Sequence, residues 1–307
     1  MTLTHHLAQL AIDTRPEDIA RDARQAAIKM SLDSLACAIG GAFEPGCTES
    51  ADMVREWGGR NDETVWMHGG KVPLPNAVYA GSVMTHALDL DDVLISLHVQ
   101  SLVFPTALCT AEFAGATGRE YLDAMILGTE IAARVGFAWN DRRGGPQAIG
   151  WLQTTTACGF GATAAACRLM GLDVKQTVHA LGINYAQASG NRQGLADMTL
   201  VKRIQPALAA RSAVWSACLA ARGVTGPHRA FEGEQGLFKV YQSAEPPTVD
   251  ELMAPRKGWE IERDSIKRYP SCGASHPMIE AALRLVTEHD IDPSEVERIE
   301  ISWGGKP

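Results

Sequence analysis

The sequence predicts a mainly α-helical protein, helix after helix with a single strand near the C-terminus. Three observations carry that prediction. Apolar residues recur every three to four positions in segment after segment, and glycines punctuate those segments. The faces so formed are dominated by Ala, Gly and Ser, which let helices approach closely in a buried bundle. Only near the C-terminus does the apolar period shorten toward two.

Taken in order, Pro16 opens the first helix, with Glu17 and Asp18 at the positive end of its dipole. Ile19, Ala23, Ala26, Ala27, Met30 and Cys37 follow at helical spacing, and Gly40-Gly41 ends the run. A second helix is expected over about 48–57, stopped by Gly58-Gly59. Glycines and prolines between 69 and 75 mark a loop, after which Asn76 begins an alanine-rich helix. Further helices are expected at about 105–115, 119–136, 155–170, 174–189, 206–222 and 277–289. Asp292-Pro293-Ser294-Glu295 reads as a turn, and Ile299, Ile301 and Trp303 fit one buried face of a strand over 299–303. A lone strand needs a partner, so this one is expected to pair with another subunit or with residues that complete a second domain.

Composition narrows the function classes. A chain of 307 residues, 46% hydrophobic and 21% charged, is an ordinary globular protein large enough for one large core or two domains. The net charge of −8 is spread along it without a basic stripe, which argues against nucleic acid as a partner. The seven cysteines are odd in number, sit mostly in apolar helical contexts and form no C-x-x-C pair, so they read as reduced core residues and not as a zinc site. Met1 to Thr14 lacks the order of a signal peptide, and no apolar run approaches the length of a membrane span. A cytoplasmic protein with no membrane association is expected.

Phosphate-loop, zinc-protease and nucleophile-elbow motifs are absent. Gly159-Phe160-Gly161-Ala162-Thr163-Ala164 matches a loose dinucleotide fingerprint, but no βαβ unit surrounds it. It reads as a close-packed helix start.

The segment most loaded with chemistry is His86-Ala87-Leu88-Asp89-Leu90-Asp91-Asp92, which runs on to His98. Three carboxylates and two imidazoles lie here between an alanine-rich helix and the apolar run Leu102-Val103-Phe104. A solvated charge run usually has polar flanks, so this cluster points to a lined cavity with shifted proton affinities. Asp91 and Asp92 are expected to shape the turn, bond backbone amides or tune Asp89. Taken alone, Asp89 also fits a helix-end acid, His98 a hydrogen-bonded core histidine, Lys202 a surface lysine and His276 a neighbour of a helix cap.

Several blocks in order resemble the MmgE/PrpD family, which includes 2-methylcitrate dehydratase, cis-aconitate decarboxylase and iminodisuccinate epimerase. They are residues 86–92, Gly115-Ala116-Thr117-Gly118-Arg119, Gly128 to Arg134, Gly159 to Gly171, Met198-Thr199 with Lys202-Arg203, residues 220–226, and Lys267 to Cys272 followed by His276-Pro277. The resemblance implies a helical domain over 1–262 and the start of an α+β lid over 263–307, with the site in the cleft between them and a homodimeric assembly. Relatives continue well beyond position 307, so the strand at 299–303 is expected to be the first piece of a lid sheet. The resemblance also implies a small carboxylic-acid substrate, no metal and no organic cofactor.

Lyase chemistry on such an acid needs a proton carrier at carbon, cations for the carboxylates and an acid for the leaving group. Asp89, His98, Lys202 and His276 are carried over from the family pattern as the catalytic candidates. Lys202 supplies a compact charge, and Arg203 a planar clamp for a carboxylate. Gln153, Gln205 and Tyr269 complete the expected substrate contacts. Three positions depart from the pattern: Leu152 stands where many relatives have histidine, Gln205 in a Leu-His-Pro-Gly block and Val93 for a threonine. Leucine and valine carry no proton and glutamine does not titrate, so the named members' own activities do not transfer directly. A dehydratase- or decarboxylase-type lyase is the first expectation. An epimerase or isomerase of a small dicarboxylate, or a family member that binds without turnover, are the alternatives.

Overall fold

The computed structural model describes residues 1–141 and 150–302. It is mainly α-helical, as expected. The long helices are α1 (Leu3–Asp13), α2 (Arg21–Gly41), α3 (Cys47–Trp57), α4 (Leu74–His86), α5 (Gln100–Ala114), α6 (Gly118–Asp141), α7 (Gln153–Leu169) and α8 (Val174–Tyr185). After the short α9 (Gln193–Ala196) come α10 (Val201–Ala221), two short helices α11 (Leu237–Gln242) and α12 (Val249–Leu252), and α13 (His276–His289). A two-residue hairpin, β1 (Glu63–Thr64) and β2 (Lys71–Val72), pairs antiparallel with Glu63 opposite Val72.

Helix α7 is the axis of the core, buried without a break from Gln153 to Cys167 and packed by α5, α6, α8 and α10. The glycines singled out in the sequence lie inside this helix, not at its start. A Cβ built on Gly161 would stand 2.2 Å from the Gly128 carbonyl oxygen of α6 and 2.8 Å from Ala132 Cβ. Backbone-to-backbone contact of this kind explains the small-residue faces. Gly161→Ala is therefore expected to lower stability by about 1–3 kcal/mol through overpacking, read as a reduced midpoint in urea unfolding.

Most boundaries shift for identifiable reasons. No helix is expected before Pro16, yet α1 forms there, its first turn capped by the Thr2 hydroxyl accepting from the His5 amide at 3.1 Å. Pro16 opens only a single turn, Pro16–Asp18, because Arg15 grips the Asp18 carboxylate at 2.8 and 2.9 Å and Ile19 is extended; α2 starts at Arg21. Helices α5 and α10 both begin five residues before the prolines expected to open them. Pro105 cannot donate to the Ser101 carbonyl, and the Ser82 hydroxyl does so instead at 2.5 Å. All seven cysteines are free and five are buried.

The strand expected over 299–303 is corrected. Residues 299–302 form no strand, and Trp303 lies outside the described residues. Ile299 and Ile301 are exposed, and no other strand among the described residues lies beside them, so their hydrogen-bonding groups have nothing to pair with. Burial ends at Lys267; every described residue after it is at least partly exposed. Helix α13 buries no residue although Met278, Ala282, Leu285 and Val286 line one side of it.

Before that point, residues 249–267 form a strap fixed to the core. Arg134, buried on α6, donates to Glu130 and to the Leu252 carbonyl, each at 2.8 Å. Glu130 in turn accepts from the Glu260 amide at 3.0 Å. The strap then pairs with the loop after α4: Val93 and Ser265 exchange backbone hydrogen bonds of 2.9 and 3.2 Å. That pairing sets the position of Lys267. No helix among the described residues is long and apolar enough to cross a membrane.

Candidate active site

The loop between α4 and α5 carries the cluster. Asp89 adopts a left-handed backbone conformation, φ 51°, which aspartate tolerates better than most residues. Two lysines from separate elements meet its carboxylate. Lys202, in the first turn of α10, places Nζ 3.0 Å from Oδ2; Lys267, on the strap, places Nζ 2.7 Å from Oδ1 and also 2.7 Å from the Asp89 carbonyl. His98 Nε2 stands 3.7 Å from the same carboxylate. Asp89, Lys202 and His98 keep 26%, 24% and 17% of their side-chain surface, so the cluster opens to solvent on this side.

Behind it lies a dry layer. Asp91 is fully buried, takes a 2.8 Å hydrogen bond from His86 Nδ1 and lies 3.5 Å from His98 Nδ1. Asp92, also fully buried, accepts from the amides of Val99 and Gln100 at 2.8 Å each and so anchors the start of α5. Its carboxyl lies close to that of Asp264, to which Gln100 Nε2 donates at 2.9 Å.

Proton affinities divide the acids. Burial alone pushes Asp89 up, but the Lys202 charge, together with Lys267 and His98, holds it below the ordinary carboxylate range. Asp91 is likewise held low, because the adjacent imidazoles and Lys267 outweigh its burial. Asp92 moves the other way, raised well up by burial and by the charges of Asp264 and Asp91. Burial raises Asp264 to about 7, and burial lowers the His98 imidazole to about 4 despite Asp91. At neutral pH the cluster therefore pairs an ionised Asp89 with a neutral imidazole, with Lys202 at its open side and the buried Lys267 beneath.

Among the candidates from sequence, Asp89, His98 and Lys202 come together. Arg203 leaves α10 about 100° further round the helix and donates to the Pro45 carbonyl at 2.6 Å, away from the Asp89 contacts. Gln153 braces the loop, accepting from the Ser96 hydroxyl at 3.2 Å and donating to the Gly136 carbonyl at 3.0 Å. Gln205 accepts from the Asn191 amide at 2.7 Å and donates to its carbonyl at 3.0 Å. Both amides thus hold protein backbone or loop. His276 and Tyr269 meet each other, with His276 Nε2 3.1 Å from the Tyr269 carbonyl, while the Tyr269 hydroxyl donates to Glu280 at 2.9 Å. Their link to the cluster is the turn before α13: a Cβ on Gly273 would lie 3.3 Å from Val93.

Sequence reasoning missed Lys267. It lies inside the Lys267 to Cys272 block, but nothing in that block announces that the lysine folds inward against Asp89.

Ligand atoms of His86, Asp91 and His98 lie within 4.8 Å of one another, close enough for one divalent ion. Their hydrogen bonds do not suit a metal. His86 Nδ1 faces Asp91 Oδ2 at 2.8 Å and His98 Nδ1 faces the Asp92 carbonyl at 3.0 Å, so a metal on these nitrogens would have to displace a hydrogen bond and a proton from each.

An all-helical frame holding two lysines and an imidazole against one carboxylate defines a helical protein with a built charged cluster. Residues 5–250 match the MmgE/PrpD N-terminal domain, and the chain belongs to that family. It is 27% identical to the cis-aconitate decarboxylase-like protein oryM of Aspergillus oryzae, over 92% of this chain and 61% of that protein. It is 28% identical to a cis-aconitate decarboxylase of Aspergillus terreus, over 92% of this chain and 59% of that protein. The chain thus spans about three-fifths of the length of these relatives.

Proposed function

We propose that the chain carries the proton-transfer face of a lyase for a small carboxylic acid, with Asp89, His98, Lys202 and Lys267 as its working groups. The observation that carries this reading is the convergence of Lys202 and Lys267 on Asp89 beside a neutral His98. Two lysines against the Asp89 carboxylate concentrate positive charge on the open side of the cluster, with the ionised Asp91 set behind it, and that charge attracts a second, substrate carboxylate. His98 Nε2 is free to take a proton from carbon, and an ammonium is able to give one. In an elimination, the C–H electron pair becomes the double bond as the C–O bond breaks, and Lys202 protonates the departing hydroxide to water. In a decarboxylation, the electrons of the breaking C–C bond are taken up by carbon, which receives a proton from Lys202. Membership of the family and the relatives' names support this class of reaction.

With Leu152 and Val93 at family polar positions and both glutamines committed to protein groups, an acid less charged than a tricarboxylate is proposed. The helical domain is proposed to end near 262 and a lid to begin at 263, where burial fades. From that side His276 and Tyr269 are proposed to approach the substrate. Epimerisation is the second reading, favoured by the loss of proton-bearing side chains at 152 and 205, since one carbon and no leaving group need fewer acids.

A panel of hydroxy and unsaturated diacids incubated with the protein in deuterated water, followed by proton NMR, separates these readings. A lyase gives new alkene signals or lost carbon dioxide; an epimerase gives exchange at one carbon alone. No change in any acid overturns both.

A further inference from the structure

We infer that Asp91 and His86 are positioning residues that hold His98 in one tautomer, with Nδ1 protonated and Nε2 turned toward the open side of the cluster. His98 Nδ1 lies 3.0 Å from the Asp92 carbonyl oxygen, a group that only accepts, which favours a proton on Nδ1 without fixing it there alone. Asp91 Oδ2, 3.5 Å from the same nitrogen, reinforces that choice. The lone pair is then on Nε2, the nitrogen nearest Asp89.

Asp91 is itself fixed from behind. His86, the last residue of α4, donates Nδ1–H to Oδ2 at 2.8 Å, and its ring meets that of His98 edge-on at 5.0 Å. Asp91 is wholly buried, and its Oδ1 has no hydrogen-bond partner among the described residues. An ionised group with an unsatisfied oxygen in a dry place is costly, and asparagine would fill the same volume without a charge. The charge has a use if it steadies the imidazole in front of it. Every charged or titratable group facing His98 fits this assignment: Asp91 and Asp89 on its own loop strengthen it as a base, while His86 of α4 and Lys267 of the strap weaken it. Lys202 of α10 reaches it only through Asp89.

The catalytic consequence rests on the proposed reaction, but the tautomer does not. In protein labelled with ¹⁵N-histidine, with His98 assigned through His98→Gln, a proton–nitrogen correlation at pH 7 is expected to show an Nδ1–H imidazole. An Nε2–H imidazole overturns the inference whatever the reaction proves to be. Asp91→Asn, and separately His86→Leu, are expected to shift the His98 nitrogens toward a mixture of tautomers. With an acid that is turned over, both should lower kcat about tenfold with KM within twofold. His86→Asn, whose amide nitrogen stands near the position of Nδ1, should recover most of that loss. Folded variants that leave the His98 signals and kcat unchanged overturn the positioning role. Should Asp91→Asn fail to fold, the wild-type spectrum and the two His86 variants decide the matter. Absence of turnover by the wild type would count against the reaction alone.

Discussion

Replacing Lys202 by methionine is expected to lower turnover of any acid the protein processes by at least about 10²-fold while the far-ultraviolet circular dichroism stays that of the wild type. The side chain is partly exposed and its ammonium contacts Asp89 Oδ2 at 3.0 Å, so methionine keeps the stem and deletes only the charge. Asp89 then keeps one ammonium, that of Lys267, and the positive charge on the open side that would hold a substrate carboxylate is gone. The leaving group also loses its acid. Lys267 is a less clean subject, because it is buried and also donates to the Asp89 backbone, so its removal would release the strap as well as the charge. Initial rates on an accepted acid, measured beside the dichroism spectrum, check the prediction. Activity within twofold of the wild type would remove Lys202 from the mechanism.

The difference between Lys202 and Lys267 also marks how far the sequence could be read. Helical periodicity is a local property, and it located most of the core helices to within a turn. Where it slipped, at α1 and α5, a cap or a side chain replaces the signal being read: Thr2 starts a helix without a proline, and the Ser82 hydroxyl satisfies the carbonyl that Pro105 leaves open. The acid cluster was legible because three carboxylates among apolar residues are costly to bury, and Asp92 does bond backbone amides as expected of it. Lys267 and Asp264 were not legible as partners. They lie more than 160 residues from the cluster, and only the pairing of Val93 with Ser265 brings them to it. No spacing rule encodes such a contact. Gln153 and Gln205 show the opposite limit, since a side chain able to read a substrate is equally able to brace a loop.

Asp264→Asn is expected to stabilise the protein above neutral pH and to flatten the dependence of its stability on pH. Burial raises Asp264 to about 7; the hydrogen bond from Gln100 and the nearby Asp92 carboxyl oppose that rise, and the charge of Asp33 adds to it. In the unfolded chain the same carboxyl ionises near its ordinary value of 3.8. Between those two values the folded protein keeps a proton that the unfolded chain releases, so stability falls as pH rises through the window from about 4 to about 7. Above it, the folded state must carry an ionised Asp264 against Asp92, which already accepts two backbone amides. Asparagine has the same shape and no such transition. Its oxygen keeps the bond from Gln100, made at 2.9 Å in the wild type, and its amide brings no second charge beside Asp92. The gain at pH 8 should stay below roughly 4 kcal/mol, the value of the full shift, because the pair relaxes when it ionises. Urea unfolding at pH 5 and pH 8 reads it directly, as a wild-type midpoint that drops with pH more steeply than the variant's, in which the raised carboxyls of Asp92, Asp33 and Glu63 still titrate. Equal slopes in the two proteins would mean that Asp264 is ionised in the folded state throughout, and the strap would then be held to the core by Lys267 and the Val93 pairing without help from a proton on Asp264.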